Sequence, residues 1–320
     1  MSIIKVVKTA FLFIGTVIGA GFGTGKELTS FFFNSSPITL ILGGLAMGVF
    51  CSFYLYIGSK FSEDLSVVAF SKYSGVFDFL VLVSTFAVFS AMFSTSDSVL
   101  NLFSIKYGGY ITMALSLVAA LIGIGFVKNI NFVVVPLIVV VVFYLFSMEV
   151  PNDFNGRISV LSPILYSAMN IMLAGYLIAN EGKGMTKKEV ATSGLIVFVV
   201  MAVLMTILYM TVRNEVGEMP LLDVANRHGH IKMAGVVIYF AIVTTALSSA
   251  SLGIEKLNRY VKNRYLSAIL LFLLAIPVKI FVGFEGIVKY VYPAVSVMGI
   301  LVTLLAFIAL IRKRKNENER

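Results

Sequence analysis

Apolar windows of roughly 20 residues, each nearly free of charge, follow one another along the chain with short polar connections. That length matches the hydrocarbon thickness of a bilayer at the helical rise. Ten such windows are predicted: 9–33, 37–59, 77–103, 107–127, 129–148, 158–180, 190–212, 233–254, 265–284 and 288–311, the ninth carrying Pro277 and Lys279 near one end. The first differs from the rest. Within FLFIGTVIGAGFGTGKELTSFFF, Phe11 to Phe33, glycines stand at 15, 19, 21, 23 and 25. Glycine at that density frees backbone from the helix. Non-helical backbone at membrane depth is tolerated only against protein or a wet cavity, so the stretch predicts two half-helices, broken near Ile18 to Gly21, at a binding site.

A second copy supports this. Ala20-Gly21-Phe22, four intervening residues and then Glu27 match Ala174-Gly175-Tyr176, four intervening residues and then Glu181, an offset of 154 residues in a chain of 320. Each copy lies in the first window of its half, as an internal duplication requires. The sixth window is therefore expected to break near Asn170 to Gly175. Ten spans in two halves give five apiece, an odd number, so halves of one fold insert with opposite topology. The expected fold is an all-α polytopic membrane protein: a first five-helix repeat over 1–154, an inverted second over 155–311, and a basic tail over 312–320.

Composition agrees. The chain is 59% hydrophobic and 13% charged, with a mean hydropathy of +0.97, far from a soluble domain. Lysine and arginine fall mainly on one side if the N-terminus is cytoplasmic: Lys5, Lys8, Lys60, Lys72, Lys183, Lys187, Lys188, Lys256, Arg259 and the tail share that side. Both termini are then inside a bacterial plasma membrane, and the net charge of +9 reflects this asymmetry rather than nucleic-acid binding. Lys5 and Lys8 ahead of an apolar run resemble a signal peptide, but the same pattern recurs in mid-chain. One cysteine, Cys51, excludes an intrachain disulfide framework, and two histidines, His228 and His230, sit in a polar loop. No GxSxG, HExxH or Cys/His cluster marks an enzyme.

The five-plus-five pattern with interrupted first and sixth helices resembles the amino acid/polyamine/organocation (APC) transporter superfamily, with the LeuT fold. Within it, IGAGFGTGKELTSFF is similar to the first helix of YkvI-type bacterial membrane proteins. The resemblance implies a cation site between first-helix carbonyls, here Gly15 and Ile18, and an eighth-helix hydroxyl face. Thr245, Ser248 and Ser249 stand at i, i+3 and i+4 on one such face. Neutral oxygens of that kind suit Na⁺, although no carboxylate is present there; no other cofactor is implied. Substrate contacts are implied at Thr16, Gly19, Gly21, Tyr166, Ser167 and Asn170, with Ser90 and Ser94 facing them.

Acidic residues near membrane depth are costly and usually retained for function. Glu27, Asp97 and Glu181 are expected to gate the pathway or carry protons; Glu255 is expected merely to snorkel at a span end. Lys128, opening the fifth span, corresponds to a lysine that proton-coupled relatives place near the cation site, though here it lies close to the cytoplasmic end. The expected function is secondary active transport of a small organic solute, an amino acid or amine-like, by alternating access coupled to Na⁺ or H⁺. A ligand-sensing receptor subunit of the germinant-receptor type is the alternative. The partners are the lipid bilayer and a small-molecule substrate.

Overall fold

The computed structural model describes residues 3–61, 65, 74–147 and 156–318. The expected division between 154 and 155 lies outside the described residues. Among them the chain is helical throughout: α1 Ile3–Val17, α2 Ala20–Gly23, α3 Lys26–Phe31, α4 Pro37–Lys60, α5 Ser74–Asn101, α6 Gly108–Ile122, α7 Ile124–Phe146, α8 Leu161–Glu181, α9 Lys187–Val212, α10 Pro220–Arg227, α11 Ile231–Val261, α12 Arg264–Phe281, α13 Gly283–Gly286, a π-helical segment Ile287–Val291, and α14 Tyr292–Asn318. Eight stretches are each long and apolar enough to cross a membrane: α4, α5, α7, α8, α9, α11, α12 and the run from α13 into α14. The other two predicted windows fall on α1–α3 and on the 15-residue α6.

Local signals set several helix starts. Pro37 opens α4 at a position where its missing N–H costs nothing. Thr186 and Glu189 form a reciprocal capping box at α9, and the Asn263 side chain accepts from Leu266 N at α12. Burial then sorts the helices by layer. In α8 and α11, 72% of the apolar window is buried, against 22% in α12. The first two form the centre, while α12 turns Leu273 and Leu274 outward, an apolar face suited to lipid.

Glycine brings α4 and α9 together. A Cβ on Gly44 would meet the Ala202 backbone, one on Gly48 would lie 2.7 Å from the Gly194 carbonyl and the Phe198 Cβ, and one on Gly194 would overlap Ser52 Oγ. Small residues at this spacing let helices approach without a hydrophobic driving force between them.

The bundle has two distinct ends. At one, Lys8 Nζ donates to Asn129 Oδ1 at 2.7 Å and Lys313 Nζ donates to the Lys60 carbonyl; this is the terminal end. At the other, Ser36 N donates to Arg157 O at 3.0 Å and Arg157 N to Asn34 O at 2.8 Å, joining the entry to α4 with the segment before α8.

The sixth window departs from expectation. α8 runs unbroken from Leu161 to Glu181, through Asn170, Ala174 and Gly175. The repeat keeps Gly21 as Gly175, but the counterparts of Gly15, Gly19, Gly23 and Gly25 at the same offset are Met169, Leu173, Leu177 and Ala179. These are good helix formers. Asn170 Nδ2 also donates to the Tyr166 carbonyl one turn earlier, 3.0 Å away, so its polar group is satisfied inside the helix.

Candidate functional site

The site is built on the gap between α1 and α2. Ile18 N still reaches Ile14 O at 2.8 Å, but Gly19 turns into extended backbone (φ −99°, ψ −163°) and its N–H bonds Val17 O. The chain resumes at α2, and Gly25, in the left-handed region at φ +80°, turns it into α3. Left-handed backbone favours glycine, which explains why that position carries no side chain. The Ala20 N–H that opens α2 donates to Met92 Sδ of α5 at 3.3 Å.

The hydroxyl face of α11 closes on this gap. Thr245 Oγ1 lies 3.2 Å from Gly15 O and 3.1 Å from Thr16 O, donating to carbonyls near the end of α1. Thr16 Oγ1 donates to Leu12 O at 2.7 Å and sits 2.9 Å from Ser248 Oγ. Ser248 Oγ reaches Thr244 O at 3.0 Å. Ser249 Oγ is turned to its own helix, donating to Thr245 O and Ala246 O at 2.8 and 3.1 Å. The structure thus brings Gly15, Thr16, Thr245 and Ser248 together, with Ile18 at the break itself. Oxygens in this set are of the hard, neutral kind that holds small monovalent cations.

Sequence reasoning passed over Asn131 of α7. It is wholly buried, neither amide atom has a hydrogen-bond partner among the described residues, and its side chain packs where a Gly15 Cβ would stand, 2.6–2.9 Å away. A second asparagine, two residues after Asn129 and already inside the apolar run, was the available signal.

Glu27 lies on the other flank. It is buried and accepts a hydrogen bond from the Tyr166 hydroxyl of α8, Oη to Oε2 2.9 Å. A Cβ on Gly21 would overlap the Glu27 carboxylate, so that glycine makes the room in which Glu27 folds back against α2. Lys26 points elsewhere, its Nζ donating to Gly217 O at 3.0 Å. Phe31 and Phe32 pack on the Tyr166 ring with centroids 5.3 and 5.4 Å away, fixing the hydroxyl that meets Glu27.

Between these two flanks is a small cavity with about 20 Å³ of water-accessible space, room for about one water-sized group. Thr16, Gly19, Glu27, Asn170, Thr245 and Tyr292 line it on the polar side, and Val17, Val88, Met92, Met169 and Leu173 on the apolar side. Other expected contacts fall outside it. Ser90 is buried without a partner and Ser94 is half-buried on the same helix. Ser167 Oγ turns to Gly43 O of α4. Each faces helix packing because its place on the helical circumference points away from α1.

Two of the remaining candidates have long-range partners. Lys128 does not reach the α1–α11 oxygens: its Nζ pairs with Glu181 Oε2 at 2.5 Å, at the terminal end. Asp97 is held by Lys279 of α12 and accepts Gly109 N at 2.6 Å, so it is engaged by its own flank of the bundle. Glu181 and Glu255 line a vestibule of about 340 Å³ at the terminal end with Asn180, Asn258 and Arg264. Above it Asp78 of α5 pairs with the fully buried Lys256 and with Arg259, 2.5 Å to the latter, and the Tyr176 hydroxyl bridges Arg259 and Glu255 at 2.9 and 3.2 Å.

Comparison with known proteins gives relatives and a fold. The sequence matches no protein-family model. It is 24% identical to the membrane protein YkvI of Bacillus subtilis (strain 168) over 348 aligned positions, covering 98% of this chain and 97% of YkvI. It is 21% identical to YyaD of the same organism, covering 94% and 96%. Among solved structures, Mhp1, a nucleobase-cation-symport-1 family transporter in a closed conformation with bromovinylhydantoin bound, superposes with a TM-score of 0.69 over 97% of this chain and 79% of its own, at 14% identity. A manganese transporter of Eremococcus coleocola superposes with a TM-score of 0.57 over 95% and 76%, also at 14% identity. The resemblance to YkvI-type proteins therefore extends along the chain, and the fold is the one that Mhp1 and the manganese transporter share.

Proposed function

We propose that this protein is a secondary active transporter that carries a small organic solute across a bacterial plasma membrane by alternating access. The observation that carries it is the interruption at Gly19, where free backbone, the α11 hydroxyl face and a buried carboxylate converge on one cavity. Such convergence at membrane depth is how transporters build a solute site. α1–α3 and α6 count as spans in this reading, giving ten in two inverted halves. The α4–α9 crossing supports the inversion: Ala46 and Val200 lie amid its close contacts, and 200 − 46 is the same 154 residues by which the sequence repeats. An axis in the membrane plane through that crossing relates the halves. The terminal end is cytoplasmic.

Coupling to Na⁺ is assigned to Gly15, Ile18, Thr245, Ser248 and Ser249, with Thr16 added by its contact to Ser248; Glu27 is the group for coupling to H⁺. Transport would break the Lys128–Glu181 pair and the Asp78 cluster when the terminal end opens, and the Asp97–Lys279 pair when the opposite end opens. The test is uptake into proteoliposomes under an imposed Na⁺ gradient, an imposed pH gradient, or neither. Uptake driven by Na⁺ and lost in Ser248→Ala/Ser249→Ala supports the cation site. Uptake driven by neither gradient for any amine or amino acid rejects the transporter.

A further inference from the structure

We infer that the solute is a small organic cation, a short-chain amine without a carboxylate, and that Glu27 is its counter-ion. The inference rests on the transporter reading of the same cavity. Charge is the first reason. Glu27 is the one formally charged group lining the cavity, and among the described residues no Lys, Arg or His pairs with it. Tyr166 donates to Oε2 alone, which leaves Oε1 beside Gly21 without a donor. A buried carboxylate lacking a cation is expensive at this depth unless a ligand or a proton supplies the missing charge.

Donor inventory is the second reason. Asn170 commits one Nδ2 proton to the Tyr166 carbonyl, which leaves the other to donate and Oδ1 to accept. Thr16 commits its hydroxyl proton to Leu12 O, and Thr245 commits its own to the carbonyls of Gly15 and Thr16. The Tyr292 hydroxyl and the second Nδ2 proton of Asn170 are the lining donors with no acceptor among the described hydrogen bonds. Beside these two neutral donors the lining offers acceptors, the charged Glu27 among them, and an ammonium carries donors and no acceptor. A solute carboxylate would meet Glu27 at close range in a low dielectric, with no cation to offset the repulsion. The backbone N–H at the start of α2 does not answer it, because Ala20 N is already bonded to Met92 Sδ. The five apolar lining side chains suit a short alkyl chain, and the flexible Met92 and Met169 can give way to it.

The test is the melting temperature of the full-length protein in micelles with ethylamine, propylamine, propionate or L-alanine at millimolar concentration, and potassium chloride at matched ionic strength. A bound solute raises the melting temperature by mass action. The amines are expected to stabilise and the other three to leave the protein unchanged, with Glu27→Gln weakening amine binding by about 30-fold or more. Stabilisation by propionate or alanine equal to that by the amines overturns the proposal, as does the absence of any amine effect on the wild-type protein. These wild-type comparisons stand even where Glu27→Gln fails to fold. Glu27-dependent amine binding without gradient-driven amine uptake would retain the solute class and remove the transporter. Gradient-driven uptake of alanine but not amines would do the reverse.

Discussion

Replacing Asp78 by asparagine isolates one charge whose environment the structure defines closely. Lys256 of α11 is fully buried, paired with Asp78, and seated over the Tyr176 ring with Nζ 3.6 Å from its centroid. Asp78→Asn keeps the shape and one neutral acceptor oxygen but removes the counter-charge, leaving the ammonium with that oxygen and the Tyr176 and Phe77 ring faces. Removing one partner of a buried pair costs about 3–5 kcal/mol, because the surviving charge is desolvated and uncompensated. The ring contact, worth up to about 2 kcal/mol when desolvated, is present before and after and so does not reduce the difference. In Lys256→Met, by contrast, Asp78 retains Arg259 at 2.5 Å, whose side chain is 32% exposed and keeps access to solvent. That variant is expected to lose about 1–2 kcal/mol, mostly the cation–ring contact. The double variant Asp78→Asn/Lys256→Met should resemble Lys256→Met, since no buried charge is stranded. Thermal unfolding of the three variants in matched micelles is the assay, and the single aspartate variant is expected to melt roughly 6–10 °C below wild type. Equal losses in Asp78→Asn and the double variant would refute the reasoning, because the cost would then not come from an orphaned lysine.

Other outcomes follow from close approaches and donors. Gly21→Ala should destabilise by about 1–3 kcal/mol by pushing the Glu27 carboxylate off Tyr166, and a second change, Glu27→Ala, should recover most of that in chemical unfolding. Gly44→Ala meets the Ala202 backbone, which cannot turn aside; a similar loss is expected, read as a lowered melting temperature and partly rescued by Ala202→Gly. Thr245→Val keeps the side-chain volume but removes the donor to the Gly15 and Thr16 carbonyls, costing about 1–3 kcal/mol. Under the proposed coupling it should also abolish any Na⁺-dependent rise in melting temperature.

The spans were legible because a bilayer imposes a length and forbids exposed backbone, and both constraints act on local sequence. The gap at Gly19 was legible for the same reason: several glycines within one turn of each other leave the helix little to gain there. The unbroken α8 was misjudged because AGYLIANE repeats the identities that are easy to see and lacks the flanking glycines that weaken the helix, with Leu173 and Leu177 in their places. Thr245 and Ser248 could be placed on one face from spacing alone, whereas Ser249, one position further round, serves its own helix. Nothing in the spacing could reveal that Lys128 belongs to Glu181, or Asp78 to Lys256 and Arg259, since these partners lie in other helices far along the chain.

Depth alone therefore does not say which intramembrane charge does work. Asp97, Glu181 and Asp78 are all near membrane depth, and each is neutralised by a basic side chain from another helix, so each can be explained as a fastening between helices. Glu27 is as deeply buried as any of them and meets a tyrosine instead. A neutral donor to one oxygen does not cancel a charge. The remaining charge must be balanced by something that arrives, a proton or a cation, and the cavity at the Gly19 gap is open space against it. The same reasoning applies to Asn131, whose uncharged but unpartnered amide backs Gly15 on the opposite wall. The carboxylate and the orphaned amide thus flank one interruption in α1, and it is the missing counter-charge of the one and the missing partners of the other, more than their burial, that mark this part of the bundle as built to bind.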